Sequence, residues 1–368
     1  MRLASATVLL MVGAALPALA QTTGPARPRR SPPVTAGPAA PAPTPATAPA
    51  GAAPTAAKPQ PAPAATPQIA DAIPVPDAVT APQRMLIRAE VLLDRAHFSP
   101  GVIDGTEGSN LKQAVSAYQA ANDLQVDGAV SDALIAKLTA TDTANSVKRY
   151  TIASEDLAGP FVAKLPTDFA DLAKLDSPAY SGPVEELAER FHMDEGLLKA
   201  LNPNADFSKA GTAITVAAVN DDKLPASVTK IEVDKTKQAV RAYDDGGKLL
   251  ASYPATVGST ERPAPTGTLT VRAVAPKPDY TFDPKRLTFG KKGQGKLTIK
   301  PGPNNPVGST WIALSKATYG IHGTPDPKLV GKRASHGCVR LTNWDAHELG
   351  ASVKAGAKVV FMGKETRG

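Results

Sequence analysis

Residues 21–79 hold little besides Ala, Pro, Thr and Gly, as in "AGPAAPAPTPATAPAGAAPTAAKPQPAPAATP". This tract decides where a fold can begin. It lacks the apolar side chains whose burial would offset the entropy of ordering the chain, so residues 21–80 are expected to form a disordered or polyproline-like linker. Ahead of it, "MRLASATVLLMVGAALPALA" carries an export pattern: basic Arg2, an apolar run from Val8 to Leu16, and small residues Ala18-Leu19-Ala20 at the cleavage position. The run falls short of the roughly 20 residues a membrane-spanning helix needs. Residues 1–20 are therefore read as a cleaved signal peptide. Position 21 is Gln, so no lipoprotein anchor is expected. No later segment is apolar enough to span a membrane, so no integral membrane segment is expected after cleavage.

A formal charge of +7 and an isoelectric point near 9.3 suit an anionic partner such as a wall polymer or a membrane surface. Nucleic acid is not expected as a partner, because an exported chain without an aromatic-basic recognition motif has no means of reading it. The basic run "KRLTFGKKGQGKLTIK" (Lys285 to Lys300) reads as a solvated stretch, with a substrate-facing patch as the alternative.

Composition changes at Ala81. Met85, Ala89, Leu92 and Ala96 recur at helical spacing, and "SPGVIDG" then breaks the helix. A second helix is predicted through Leu111, Val115 and Tyr118, and a third at "SDALIAKL" with Ser131 as its N-cap. Residues 81–141 thus read as a small three-helix bundle. Pro100 to Gly105, Ala114 to Gln119 and Val126 to Gly128 make this segment resemble the peptidoglycan-binding type 1 domain. The same residues also read as the turn glycines and core of a bundle without affinity. Residues 149–219 form a second unit: helix, turn, helix, an Asn-Pro stop, then a strand at Thr212 to Val216. Through Leu201-Asn202-Pro203 and Gly211-x-x-Ile-x-Val it resembles a LysM glycan-binding module of α+β type. It departs from that pattern by an insertion between "YTIASEDL" and Val184. Within it, His192 is read as a structural residue.

Residues 226–363 are richer in strands. Candidates are Lys230 to Val233, Gln238 to Tyr243, Lys248 to Val257, Thr268 to Val274 and Lys358 to Phe361, with a hairpin turn at Asp244 to Gly247. One helix is capped by Thr342 and ends near Gly356. The fold class expected is multidomain: a three-helix bundle, an α+β LysM-like module, and a mostly β, β-sandwich-like catalytic domain.

This last segment holds the one cysteine of 368 residues, in "RASHGCVRL". In an oxidising compartment, an unpaired cysteine is either a reactive thiol or a buried inert one, and the count alone does not choose. The neighbours do. A thiol becomes a nucleophile when a base takes its proton, and His336 and His322 are both at hand. His336 lies only two residues before Cys338, which restricts its approach. A residue on a neighbouring strand reaches the sulfur more freely, which favours His322 as base. Gly323 and Gly337 leave room beside the candidates, and backbone amides at Gly337 and Cys338 could form an oxyanion hole. A zinc site from His322, His336 and Cys338 is a rival, although the usual metal-ligand spacings are absent. His347 and His97 have no motif to recommend them.

His322-Gly323-Thr324, Gly331 and Ser335-His336-Gly337-Cys338-Val339-Arg340 resemble the signature of the L,D-transpeptidase catalytic domain, also called YkuD. "PAPTGTL" at Pro263 to Leu269 and "GPNNPVGSTWIAL" at Gly302 to Leu314 look like that family too. The resemblance implies cysteine acyl transfer on peptidoglycan tetrapeptide stems, without a cofactor, in the periplasm at the cell wall. By it, Cys338 is the nucleophile and His322 the base, oriented by the carbonyl of Gly323. His336 supports the oxyanion site and Arg340 holds the loop or the substrate; for Ser335 and Arg340 structural support and direct chemistry both stay open. The partners it implies are stem peptides and glycan, with a cell-envelope protein as a possible acceptor. L,D-carboxypeptidase, attachment of proteins to the wall, and an inactive wall-binding protein are the alternatives. The front modules contain no part of the Cys–His constellation, so they are expected to contribute location and not chemistry.

Overall fold

The computed structural model describes residues 74–220, 223–260, 263–284, 295–332 and 337–365. The expected signal peptide and most of the linker, Lys285 to Gln294 of the basic run, and Ser335 and His336 lie outside the described residues. No described helix is long and apolar enough to cross a membrane.

Three helices open the structure: α1 (Ala81–Arg95), α2 (Ser109–Ala121) and α3 (Asp132–Thr139). Thr80 caps α1 by accepting from the Gln83 amide, and Ser131 caps α3 by accepting from Leu134 at 3.3 Å. The helices bury Leu92, Leu93, Leu111, Val115, Leu134 and Leu138 between them. Gln119 explains two of the bundle's motifs together. Its carbonyl accepts from the amides of Asp127 (3.1 Å) and Gly128 (2.9 Å), and its amide donates to Asp127 Oδ1 (2.7 Å), so Tyr-Gln and Val-Asp-Gly lock each other.

The second unit pairs β1 (Val147–Thr151) antiparallel with β2 (Ala213–Ala217). Between them come a short helix α4 (Phe169–Leu172), α5 (Pro183–Arg190) and α6 (Glu195–Leu201). The Asn-Pro stop has a physical role: buried Asn202 donates to the carbonyls of Leu198 and Thr215 and accepts from the Thr215 amide, stapling the end of α6 to β2.

The remaining strands are β3 (Val228–Asp234), β4 (Ala239–Tyr243), β5 (Leu249–Pro254), β6 (Thr256–Val257), β7 (Gly267–Pro276), β8 (Tyr280–Phe282), β9 (Leu297–Ile299), β10 (Thr310–Leu314), β11 (Gly320–His322), β12 (Val339–Arg340) and β13 (Val353–Met362). Helix α7 (Asn343–Ser352), capped by Thr342, precedes β13. Strands β8 and β9 form a separate hairpin; the others make one nine-stranded sheet in the order β5-β4-β3-β13-β7-β10-β11-β12-β6.

The two end strands of that sheet, β5 and β6, are separated in sequence by Ala255 alone. The sheet must therefore curl until its ends meet. The domain is barrel-like, where the strand pattern had suggested a sandwich. Gln238 fixes the corner: its carbonyl accepts from the Ala255 amide at 2.7 Å, and its side chain exchanges two bonds with Val257. Val233, Val240, Val257, Ile312, Ile321 and Val339 fill the interior.

The three units dock through built seams. Residues His97 to Ser99 of the bundle extend the edge of β5, with Ser99 N donating to Ser252 O and Ser252 N to His97 O, both at 2.9 Å. Ile103, inside the bundle's Pro-Gly-x-Ile-Asp-Gly motif, is fully buried and trades backbone bonds with His192 and Asp194 of the second unit. His192 stacks on Trp344 of α7 at 4.9 Å and bonds Asp94 of α1 at 3.1 Å, so it joins all three units as a structural residue.

Candidate active site

Strands β11 and β12 run parallel, with Ile321 opposite Val339 and His322 opposite Arg340. Ile321 and Val339 point into the core and are buried. Because side chains alternate, His322 and Arg340 project to the opposite face, and so does Cys338, one step before β12. His322 and Cys338 are thus diagonal neighbours on adjacent strands, a separation that side chains bridge. His322 thus lies on the strand that pairs with the one following Cys338.

His322 is 3 % exposed, and its ring stacks on Trp311 at 5.3 Å. Its Nδ1 is 2.7 Å from the Gly323 carbonyl, which can only accept, so Nδ1 carries the proton and Nε2 keeps its lone pair. Burial, and secondarily the Arg340 cation, push the imidazole down to about 3; the Gly323 hydrogen bond opposes them. The half-buried Cys338 thiol donates to the Thr318 carbonyl at 3.8 Å. Burial raises it above the ordinary thiol range, while a hydrogen bond from the Gly320 backbone and the charge of Arg340 pull it partly back. The site therefore holds a neutral thiol beside a neutral imidazole. Gly337, just before the cysteine, has φ +107, a left-handed conformation that favours glycine, and the Tyr319 ring lies against it.

With this geometry in view, the relatives become informative. The L,D-transpeptidase catalytic domain (YkuD) profile matches residues 229–361, and a peptidoglycan binding domain profile matches residues 77–138. The YkuD protein of Bacillus subtilis, named as an L,D-transpeptidase, is 32 % identical over 180 residues, which is 48 % of this chain and 92 % of its own length. The chain belongs to the L,D-transpeptidase family. The Bacillus licheniformis YkuD protein is 29 % identical over 179 residues, covering 48 % of this chain and 91 % of its own. Among solved structures, an L,D-transpeptidase from Mycobacterium smegmatis matches at 18 % identity and TM-score 0.31, over 44 % of this chain and 77 % of its own.

Several residues of this L,D-transpeptidase site carried no signal that the sequence reading used. Tyr280 on β8 is within electrostatic reach of Cys338 and Arg340, and burial pushes its phenol up to about 12. Asn343, at the start of α7, is 3 % exposed. Its Oδ1 accepts from the Ser309 amide at 3.0 Å and lies so close to Gly308 and Gly323 that a Cβ on either would collide with it. Its Nδ2 donates to Pro303 O (3.1 Å) and to Glu189 Oε1 (2.7 Å) on α5. A chain of contacts thus runs from Glu189 through Asn343 to Gly323, the residue that orients His322. Asn343 closes the run "GCVRLTN" and could have been found there; Glu189 and Tyr280 lie in segments with no local motif. These contacts tie α5 of the second unit to the residues packed around Gly323.

Among the described residues no three His, Cys, Asp or Glu side chains are grouped as a metal site, and His336 lies outside them.

Proposed function

We propose that the protein is a peptidoglycan L,D-transpeptidase in which Cys338 forms an acyl-enzyme on tetrapeptide stems and passes it to an amine. The observation that carries this reading is the placement of Cys338 and His322 on one face of adjacent strands, with Nδ1 committed to Gly323 and Nε2 left to take the thiol proton. As Sγ attacks the carbonyl at the L-centre of the diamino acid, its proton passes to Nε2, the terminal D-alanine takes that proton and leaves, and a thioester remains. The backbone amides at Gly337 and Cys338 hold the oxyanion, with His336 supporting that site. Ser335 and Arg340 steady the loop and the substrate. An incoming amine then gives a 3→3 cross-link. Export by residues 1–20, the linker, the peptidoglycan-binding bundle and the LysM-like module place this chemistry at the wall, in the periplasm.

Incubating the full protein with purified disaccharide-tetrapeptides, followed by mass spectrometry, tests the reading. Dimers lacking one D-alanine are expected, and Cys338→Ala should abolish them. Tripeptide monomers alone would make the enzyme a carboxypeptidase, capture of an envelope protein would make it an attaching enzyme, and no turnover would leave an inactive wall-binding protein.

A further inference from the structure

Two sequence signatures, one in the bundle and one in the catalytic domain, meet in the structure at a residue that belongs to neither. Asn110 lies in the first turn of α2 and is 9 % exposed. Its Nδ2 donates to the Val330 carbonyl at 3.0 Å, a buried bond between residues 220 positions apart. A carbonyl only accepts, so this bond fixes which way the amide points. Its Oδ1 then lies over Gly331, where a Cβ would stand 2.5 Å from it. Gly331 also has φ +73, so the position calls for glycine on two counts. On the other side, a Cβ on Gly101 would stand 3.2 Å from Asn110 Nδ2 and 3.3 Å from Pro254 at the end of β5. Gly101 belongs to the bundle's Pro-Gly-x-Ile-Asp-Gly motif, and Gly331 to the transpeptidase signature. The two glycines clasp one amide between them. We infer that Asn110 is a positioning residue for Cys338, and that the bundle is thereby a working part of the catalytic apparatus. The inference rests on the transpeptidase reading above.

Val330 and Gly331 lie in the connection that leads from β11, which carries His322, to Cys338 and β12. The barrel grips the same turn through Thr256. Its hydroxyl accepts from the Gly331 amide at 2.9 Å and donates to the Leu329 carbonyl at 3.4 Å. Thr256 stands on β6 opposite Arg340 of β12, and Val257 stands opposite Val339. One strand therefore holds the turn by a side chain and the residues after the nucleophile by its backbone. Strand β12 is only two residues long, so its ladder alone gives Cys338, one step before it, little purchase. The turn must be held from outside.

Asn110 supplies that hold. Gln113, one helical turn further along α2, reaches the Gln238 carbonyl at 3.5 Å, at the corner whose side chain bonds Val257. Asn110 and Gln113 share a face of the helix, so α2 is seated on the turn and on the corner together. Lys328 adds an ion pair to Asp194, the cap of α6, at 2.5 Å. The Lys328 side chain is 56 % exposed, so this pair is the weaker hold. The buried amide is the stronger one. Misplacing a nucleophile by about 1 Å costs on the order of 10²-fold in rate, so a turn released from one of its anchors should register in the chemistry.

The test uses the full chain and a disaccharide-tetrapeptide donor. It reads the rate of acyl-enzyme formation per titratable thiol, the half-saturating donor concentration, and the melting temperature. Asn110→Ala removes the donor to Val330, and Asn110→Asp keeps the shape but sets an acceptor against that carbonyl. Both should slow acylation about tenfold or more, with the half-saturating concentration within about twofold of wild type. Leu138→Ala, inside the bundle core on α3, is the control for stability. It should lower the melting temperature at least as much, yet leave acylation within about twofold. Gly331→Ala supplies a readout that lost stability does not mimic. With Asn110 present, the new methyl meets Oδ1 and should slow acylation about tenfold; in Asn110→Ala that collision is gone, and the further loss should be under about threefold. Acylation within about twofold of wild type in both Asn110 variants would overturn the inference. An equal loss in Leu138→Ala would also overturn it, as would losses from Asn110→Ala and Gly331→Ala that simply multiply. A wild-type protein that forms no acyl-enzyme at all would overturn the transpeptidase reading itself, and this inference with it.

Discussion

The protonation state of the Cys338–His322 pair can be tested by titration. An ion pair at rest would require the imidazole to hold its proton more tightly than the thiol. Here the order is reversed: His322 titrates at about 3 and Cys338 above the ordinary thiol range. With burial holding the thiol up and the imidazole down, the neutral pair is the favoured resting state. At pH 7 the thiolate is then the minor species. Alkylation of Cys338 by iodoacetamide should rise about tenfold per pH unit between pH 5.5 and 8, with no plateau below pH 7. His322→Ala removes a neutral group, so it should leave the alkylation inflection nearly in place, within about half a unit by the same reasoning. Muropeptide turnover should nevertheless fall by about 10²–10⁴, because the general base is gone. The two assays separate the thiol's acidity from its activation in the reaction. A pH-independent alkylation rate from pH 5 to 7, or an inflection that moves by a unit or more in His322→Ala, would refute the neutral pair and restore a preformed thiolate–imidazolium.

Two further outcomes follow from the buried carboxyls. Glu189→Ala removes the acceptor that holds Asn343 behind Gly323, and should lower kcat about tenfold, the scale of one charge-assisted hydrogen bond, while Glu189→Gln, which keeps an acceptor oxygen, should recover most of it; equal loss in both variants would dissociate this bond from the chemistry. Asp345 is raised to about 8 by burial, with Asp94 and Glu348 adding to the effect. Between its unfolded value near 4 and that folded value, the native state binds the extra proton, so its contribution to stability declines as pH rises through this window. Asp345→Asn should therefore raise the melting temperature more at pH 8 than at pH 5, and an equal shift at both would remove Asp345 as the cause.

What was legible in the sequence follows from how locally each feature is encoded. Thr80 and Ser131 cap helices by contacts three residues away, so the bundle could be drawn from spacing alone. The same holds for the Asn202 stop and for the hairpin at Asp244, whose carboxylate accepts from Lys248 N at 2.8 Å. Strands β11 and β12 are three and two residues long, and they are recognisable as strands only because each is paired across the sheet. The motif around them therefore announced chemistry without announcing geometry. The barrel-like closure was invisible for a related reason: nothing in the short link at Ala255 shows that β5 and β6 lie at opposite ends of one sheet. The seams between units are encoded least of all, since Glu189 and Asn343 are 154 residues apart and each resembles an ordinary helix position. Yet these seams change the functional argument. A front module that only carried the catalytic domain to the wall would have no reason to bury a carboxyl behind the residue that orients His322, nor to press Phe169 onto Tyr280. Both contacts tie the insertion and α5 to the site itself, so changes in the second unit should appear in turnover of small soluble substrates and not solely in binding to intact wall.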